Sequence, residues 1–221
     1  MKNILNFLLI IFINQIHSQI DVELYFFNEC NNKIEKLNFE LTNLDNQKEF
    51  ISSNFKTSVD TIGNYILSSH LIDGDFRISI NTSLKINNSV KFIDTITIPK
   101  TRFVTSLELH SKYWNYYNCD ILCNGKIIDY FSNGNKRLEG VFKNGKPLEI
   151  IYYSDKKGII ELKETYEFGK LNVITNEYFD KEGNLYEYQK IKYRKGKKTI
   201  KTFNSKNKLI KTEYENYSVL K

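Results

Sequence analysis

Apolar and polar residues alternate with a period of two along most of the chain from residue 20 onward. Six such segments precede residue 110: IDVELYFF (20–27), IEKLNFEL (34–41), GNYILSS (63–69), GDFRISI (74–80), VKFIDTITI (90–98) and RFVTSLEL (102–109). None of them shows the sustained apolar period of a helix. Polar turn residues separate them, and short strands at this spacing are typical of a β-sandwich. The pattern therefore predicts an all-β fold that begins with a sandwich of six or seven strands.

The second half of the chain repeats a unit that contains two turns. Gly-Lys pairs begin at Gly125, Gly145, Gly169 and Gly196, and inner turn residues lie between them at Gly134, Gly158, Gly183 and Asn207. Aromatic residues precede each inner turn and recur near the end of each unit. Asn-Gly and Lys-Gly pairs favour the positive φ of tight hairpin turns. The repeat therefore predicts about four hairpins that stack into one extended antiparallel sheet.

The stretch DYFSNGNKRLEGVFKNGKP (129–147) carries a family resemblance. It resembles the MORN-repeat variant of YwqK-type antitoxin-like proteins, in which an aromatic pair, an Asn-Gly turn and a closing Asn-Gly-Lys recur. The resemblance covers residues 124–147 well, the next two units with insertions and the last unit poorly. Residues 63–80 are similar in pattern to small transthyretin-like or carboxypeptidase-regulatory-like sandwiches, and we expect an Ig-like or transthyretin-like β-sandwich. The resemblance implies a bacterial secreted protein with three parts: a signal peptide (1–18), a β-sandwich (19–118) and hairpin repeats (119–221).

The N-terminus has the layout of a secretory signal peptide. Lys2 precedes the apolar run ILNFLLIIFI (4–13), and Ser18 offers a small residue for cleavage. The run is shorter than the roughly 20 residues that a membrane-spanning helix needs, and no cysteine follows it as a lipid attachment site would require. We expect a secreted or periplasmic protein with no transmembrane span in the mature chain.

Three cysteines are present: Cys30, Cys119 and Cys123. Export permits disulfides. If residues 119–123 formed one strand, Cys119 and Cys123 would lie about 13 Å apart, too far for a bond. A bridge from Cys30 to one of them is then expected, whereas a turn at residues 120–122 would allow the local pair. Three free thiols are the other alternative, and no fourth ligand supports a metal site.

Charge is distributed unevenly between the two halves. Residues 19–120 carry 10 Lys or Arg and 13 Asp or Glu, and residues 121–221 carry 21 and 13. The densest basic patch contains Lys192, Arg194, Lys195, Lys197 and Lys198. Such a patch is typical either of a solvated strand face beside a turn or of a surface for an anionic partner. The expected export argues against nucleic acid and leaves an anionic envelope polymer or lipid surface open.

No catalytic motif is present, so we expect no enzymatic activity, no metal and no cofactor. His70 and His110 lie at predicted strand ends, outside any nucleophile motif. The segment KYWNYYNCD (112–120) is the densest aromatic cluster; it predicts either a domain junction or a carbohydrate- or partner-binding patch. The candidate partner-binding aromatics are Trp114, Tyr116, Tyr117, Tyr130, Phe131, Tyr152, Tyr153, Tyr178 and Phe179.

The sequence thus predicts a non-enzymatic exported scaffold whose repeat sheet binds an unknown protein or a cell-envelope polymer. Two alternatives stay open. One is a periplasmic antitoxin-like or immunity-like protein, and the other is a carbohydrate-binding accessory module.

Overall fold

The computed structural model describes residues 19–88, 90–107, 114–154 and 157–216. The described residues form β-strands, turns and loops, with no helix among them. They fall into two compact units that divide between Pro99 and Lys100. The predicted all-β fold is confirmed, whereas the predicted signal peptide (1–18) lies outside the described residues.

The described part of the first unit contains eight strands in two sheets. They are β1 (Ile20–Asn28), β2 (Lys33–Glu35), β3 (Phe39–Asn43), β4 (Glu49–Ile51), β5 (Lys56–Val59), β6 (Gly63–Asp73), β7 (Phe76–Ile86) and β8 (Lys91–Ile98). Strand β8 runs parallel to β1 along its whole length, and β2 and β5 pair antiparallel with the two ends of β1. In the other sheet β3 lies between β4 and β6, and β7 pairs with β6.

The core of the first unit lies between these two sheets. Alternate residues of β1 are buried, as are the facing residues of β3 and β6. Phe26 of β1 contacts Phe39 of β3 with ring centroids 6.5 Å apart, which joins the two sheets. Tyr65 is fully buried and donates its hydroxyl hydrogen to the carbonyl of Thr61 at 2.7 Å. Burial of every second residue explains the period-two alternation of the sequence.

Several boundaries in this half differ from the sequence prediction. Residues 34–41 were expected to form one strand, but they contribute to β2 and β3 with a break between Glu35 and Phe39. Strands β4 and β5 were not predicted; they have three and four residues, too few to show an alternation. The compact units divide between Pro99 and Lys100, and the predicted end of the sandwich at residue 118 stays a prediction.

Eleven strands lie in the described residues of the second unit. They are β9 (Thr101–Ser106), β10 (Asn115–Asn118), β11 (Ile121–Leu122), β12 (Gly125–Tyr130), β13 (Lys136–Lys143), β14 (Lys146–Tyr153), β15 (Ile160–Tyr166), β16 (Val173–Phe179), β17 (Leu185–Arg194), β18 (Lys197–Asn204) and β19 (Leu209–Asn216). Strands β9, β10 and β11 form a short antiparallel meander. Strands β12 to β19 form an eight-stranded antiparallel sheet in sequence order, as the hairpin repeat predicts.

The turns of the eight-stranded sheet repeat the same chemistry. Asn144 and Gly145 link β13 to β14, and Lys195 and Gly196 link β17 to β18; all four have positive φ, as two-residue type I′ turns require. The inner turns share a second pattern of backbone hydrogen bonds. The N–H of the first residue donates to the carbonyl of the last residue, and the carbonyl of the first residue accepts from the N–H of the positive-φ residue. It occurs at residues 131–135, 154–159, 180–184 and 204–208.

Strand pairing gives this sheet two faces, which we name the inner face and the outer face. One continuous row of the inner face consists of Ile127, Gly140, Ile150, Glu164, Asn176, Gln189, Thr202 and Lys211. The adjacent row of the outer face consists of Lys126, Val141, Glu149, Thr165, Thr175, Lys190, Lys201 and Thr212. Both rows carry polar side chains, and the inner row also carries Ile127 and Ile150 in the first two hairpins.

Candidate binding surface

The inner face carries the hydrophobic cluster of the second unit. Leu138, Phe142, Ile150 and Tyr166 are buried together with Cys123, the residue that follows β11. Burial of each such side chain contributes roughly 1.5–3 kcal/mol to the free energy of folding. This cluster stabilises the first two hairpins and commits their part of the inner face to packing.

A network of tyrosine hydroxyls borders this cluster. Tyr152 and Tyr166 both donate hydrogen bonds to the Glu164 carboxylate, at 2.9 Å and 2.5 Å. Burial raises the pKa of Tyr152, Tyr166 and Tyr116, so all three phenols are neutral at physiological pH. The network therefore satisfies buried polar groups, and none of its phenols is activated as a base or a nucleophile.

Further along the inner face, polar side chains bond to one another across the strands. The Asn176 amide donates to the Gln189 carbonyl oxygen at 3.2 Å, and the Tyr178 hydroxyl donates to the same oxygen at 3.3 Å. Tyr178 also contacts Tyr186, with ring centroids 6.5 Å apart. These contacts link β16 to β17 and occupy the polar atom of Tyr178.

The aromatic cluster after residue 112 packs against the first hairpin of the second unit. Trp114 contacts Phe103 with ring centroids 5.1 Å apart, Phe103 contacts Tyr116 at 5.3 Å, and Tyr116 contacts Phe142 at 5.3 Å. The Lys146 ammonium donates a hydrogen bond to the backbone carbonyl of Trp114. The rings therefore connect β9 and β10 to β13, and Trp114 is half-buried in that contact.

A buried ion pair fixes the beginning of the same hairpin. The Arg137 guanidinium lies 2.7 Å from the Asp129 carboxylate, and these side chains are only 15% and 7% exposed. The same carboxylate accepts hydrogen bonds from the backbone N–H groups of Thr101 and Tyr130, at 3.1 Å and 2.9 Å. Asp129 thus joins β9, β12 and β13.

The outer face of the first hairpins is charged, and several of its charges are paired. Glu139 lies 2.6 Å from the Lys126 ammonium and 2.8 Å from that of Lys136. Hydrogen bonds from these two lysines lower the pKa of Glu139 to about 2. On the next strands Lys163 lies 2.9 Å from Glu149. Each lysine named here has a carboxylate neighbour.

The outer face of the last strands is charged without such pairing. Exposed cations stand on β17 and β18, which we name the basic ladder: Lys190, Lys192, Arg194, Lys197 and Lys201. Strand pairing places Lys190 directly opposite Lys201 and Arg194 directly opposite Lys197. Within the described part of the chain, none of the five forms an ion pair. The basic ladder is therefore the strongest candidate for contact with a partner.

The predicted basic patch overlaps the basic ladder only in part. Lys198 projects from the inner face, where it pairs with Glu215 at 3.0 Å, and Lys195 lies in the turn. Lys190 and Lys201 were not predicted. The sequence did contain a signal for this pair. A two-residue turn at Lys195 and Gly196 places Lys190, five residues before the turn, directly opposite Lys201, five residues after it.

The other predicted aromatics are mostly half-buried. Tyr130 is 50% exposed, whereas Tyr117, Phe131, Tyr153 and Phe179 are half-buried. The Arg137 guanidinium lies over the Phe131 ring, and the Lys136 ammonium lies over the Tyr153 ring. The Tyr153 hydroxyl also donates to Glu139 at 3.4 Å. Of these predicted partner-binding residues, Tyr130 offers the most accessible surface.

The three cysteines have two different states. Cys30 and Cys119 are disulfide-bonded, whereas Cys123 is a free thiol that is 1% exposed. Burial raises the pKa of Cys123 to about 11. Cys123 is therefore a packed, protonated thiol inside the apolar cluster, and no local bond joins it to Cys119.

The first unit offers two shallow hollows, neither with a catalytic arrangement among the residues the structure covers. One, of about 340 Å³, is lined by His70, where an Arg77 guanidinium nitrogen lies 3.3 Å from the imidazole Nδ1. Burial and the nearby guanidinium lower the pKa of His70. His110 lies outside the described residues. Across the described ranges no group of three or more His, Cys, Asp or Glu side chains is placed to hold a metal ion.

Among the residues that the structure describes, no helix has the length and hydrophobicity that a membrane crossing requires. The chain matches no protein-family model, and a search of curated proteins finds no match.

Proposed function

We propose that this protein is a non-enzymatic, exported scaffold whose eight-stranded sheet presents its outer face to a cell-envelope partner. The observation that carries the proposal is the asymmetry of that sheet. Its inner face holds the buried cluster around Ile150, while its outer face exposes charged and polar side chains from four successive hairpins.

The chemical difference between the inner face and the outer face of the sheet supports a binding role. Tyrosines of the inner face that could act in chemistry are neutral and hydrogen-bonded, as Tyr152 and Tyr166 show. Side chains of the outer face instead stand in regular cross-strand rows, which suits recognition of an extended surface.

The same geometry supports the proposed relation to MORN-type repeats. Four hairpins share one inner-turn pattern and occupy successive positions in one sheet. A secreted repeat protein would gain binding area with every added hairpin, because each unit extends the same outer face.

Co-sedimentation of the purified full chain with bacterial envelope fragments tests this function. We expect retention of the wild-type chain and loss of retention when Lys190 and Lys192 of the outer face are both changed to Glu. The control changes Lys206 and Lys208, exposed lysines of an inner turn, to Glu with the same change in net charge. Equal retention of the wild type and both variants, or no retention of the wild type, would refute the proposal.

A further inference from the structure

Charge is segregated between the two faces of strands β17, β18 and β19. Residues 185–216 carry ten Lys or Arg and three Glu. The three acids, Glu187, Glu213 and Glu215, all project from the inner face, as their strand partners Tyr178, Ile200 and Lys198 do. The outer face of these three strands therefore carries cations and no acid.

Among the described residues, inner-face cations of this region form ion pairs and the outer-face cations do not. Lys198 lies 3.0 Å from Glu215, and Lys211 lies 3.0 Å from Glu213. The nearest acid on the outer face is Glu177 of β16, which stands opposite Tyr188 and beside Lys163. Among the described residues, Glu177 forms no ion pair with the basic ladder.

Two cross-strand pairs of the basic ladder join like charges. Lys190 stands opposite Lys201, and Arg194 stands opposite Lys197. Like charges directly opposite one another destabilise a sheet. The buried pair of Ile191 and Ile200 on the inner face holds the same two strands together. An anion on the outer face would relieve this repulsion and gain several charge-assisted hydrogen bonds.

The spacing of the cations suits a linear ligand. Lys190, Lys192 and Arg194 occupy alternate positions of one strand, so their Cα atoms lie about 6.6 Å apart in a straight row. Lys197 and Lys201 form a second row about 5 Å away on the neighbouring strand. The two rows together are about 13 Å long, and a polymer with regularly spaced charges can contact them simultaneously.

Aromatic rings flank these rows on the same face. Tyr188 and Phe203 stack with centroids 5.0 Å apart and an interplanar angle of 9°, and the Lys190 ammonium lies 5.6 Å from each ring. Tyr214 stands beside Thr199 at the other end and is 76% exposed. Flat rings of this kind pack against sugar rings, and the neighbouring hydroxyls supply hydrogen bonds.

We propose that the basic ladder, together with Tyr214, binds a linear anionic polysaccharide that carries carboxylates along its chain. The ladder rows consist of Lys190, Lys192 and Arg194 on β17 and of Lys197, Thr199 and Lys201 on β18, with no aliphatic side chain among them for insertion into a lipid surface. This proposal rests on the proposed function, and it specifies the chemistry of the envelope partner.

The proposal is tested by measuring the binding of the full chain to polygalacturonate with isothermal titration calorimetry, at low and at high salt concentration. We expect binding at low ionic strength and loss of binding at high ionic strength, because exposed charges are then screened. Neutral dextran, anionic phospholipid vesicles and single-stranded DNA are the comparison ligands. Weaker binding to all three supports the proposal, whereas tighter binding to vesicles or to DNA than to polygalacturonate overturns it.

A matched pair of double variants locates the binding surface. Arg194→Gln with Lys197→Gln removes one like-charge pair from the basic ladder, and Lys206→Gln with Lys208→Gln removes the same charge from a turn. We expect the first variant to bind polygalacturonate about tenfold more weakly and the second to change affinity by less than about twofold. Equal losses in the two variants would mean that net charge alone drives binding and would overturn the proposed site.

Two further measurements distinguish a loss of binding from a loss of folding, and a wrong ligand from a wrong function. Circular dichroism melting checks the fold of the Arg194 and Lys197 variant, and we expect no loss of melting temperature because a repulsive pair is removed. Retention on envelope fragments without any binding to polygalacturonate would overturn the polysaccharide ligand and leave the scaffold function standing.

Discussion

Changing Glu139 to Gln should weaken the fold of the second unit at neutral pH and much less in acid. Glu139 lies between the ammonium groups of Lys126 and Lys136, at 2.6 Å and 2.8 Å, and its side chain is 18% exposed. Glutamine keeps the shape of the side chain and removes its charge. The experiment therefore isolates the contribution of the two ion pairs.

The magnitude follows from the pKa of Glu139. Hydrogen bonds from the two lysines lower this pKa from 4.5 to about 2, which would correspond to roughly 3 kcal/mol in the free energy of unfolding. Lys126 and Lys136 are 60% and 43% exposed, so solvent screens both pairs. We therefore expect the substitution to cost about 1–2 kcal/mol at pH 7.

The pH dependence has a definite sign. A carboxyl group whose pKa is lowered by folding stabilises the folded state above its unfolded pKa of 4.5, and this contribution disappears as the pH falls toward about 2. The difference between wild type and Glu139→Gln should therefore fall to less than half of its pH 7 value at pH 3. Urea denaturation followed by circular dichroism at several pH values measures it.

Glu161→Gln provides the matched control, since Glu161 is exposed and forms no ion pair with any residue the structure describes. We expect the control to change the free energy of unfolding by less than about 0.5 kcal/mol. A Glu139→Gln difference that is absent at pH 7, or that is as large at pH 3 as at pH 7, would refute the reasoning.

Two further predictions concern buried groups of the second unit. Asp129→Ala should lower the free energy of unfolding by about 3–5 kcal/mol, because it leaves the Arg137 guanidinium buried without its carboxylate; urea denaturation measures this, and a loss below about 1 kcal/mol would contradict it. Cys123 should resist maleimide labelling in the native protein near neutral pH and react in denaturant, because it is 1% exposed with a pKa of about 11; rapid native labelling, detected by mass spectrometry, would contradict it.

The hairpin repeats were predictable because the conformation of each turn depends on a few adjacent residues. Asn144-Gly145 and Lys195-Gly196 require positive φ at both positions, and such turns fix the register of the strands that they join. The pairing of β1 with β8 was not predictable in the same way. Those strands are parallel and far apart in sequence, so their register depends on packing of the whole sandwich.

Which aromatics are exposed could not be read from the sequence, because both faces of the repeat sheet carry rings. Tyr152 and Tyr178 lie on the inner face and bond to Glu164 and Gln189, whereas Tyr188 lies on the outer face. Alternation assigns residues to two faces but does not say which face is covered. The inner face is identified by tertiary packing of Tyr116 against the first hairpin.

The sequence-order arrangement of β12 to β19 also determines how this sheet gains and loses structure. Every strand pair joins chain neighbours, so the entropy cost of closing each loop is small and folding can start at any hairpin and spread. Strand β19 is exposed at seven of its eight positions, so amide exchange should be fastest there. A chain built in this way can be lengthened or shortened by whole hairpins at the β19 edge without disturbing the buried cluster around Ile150.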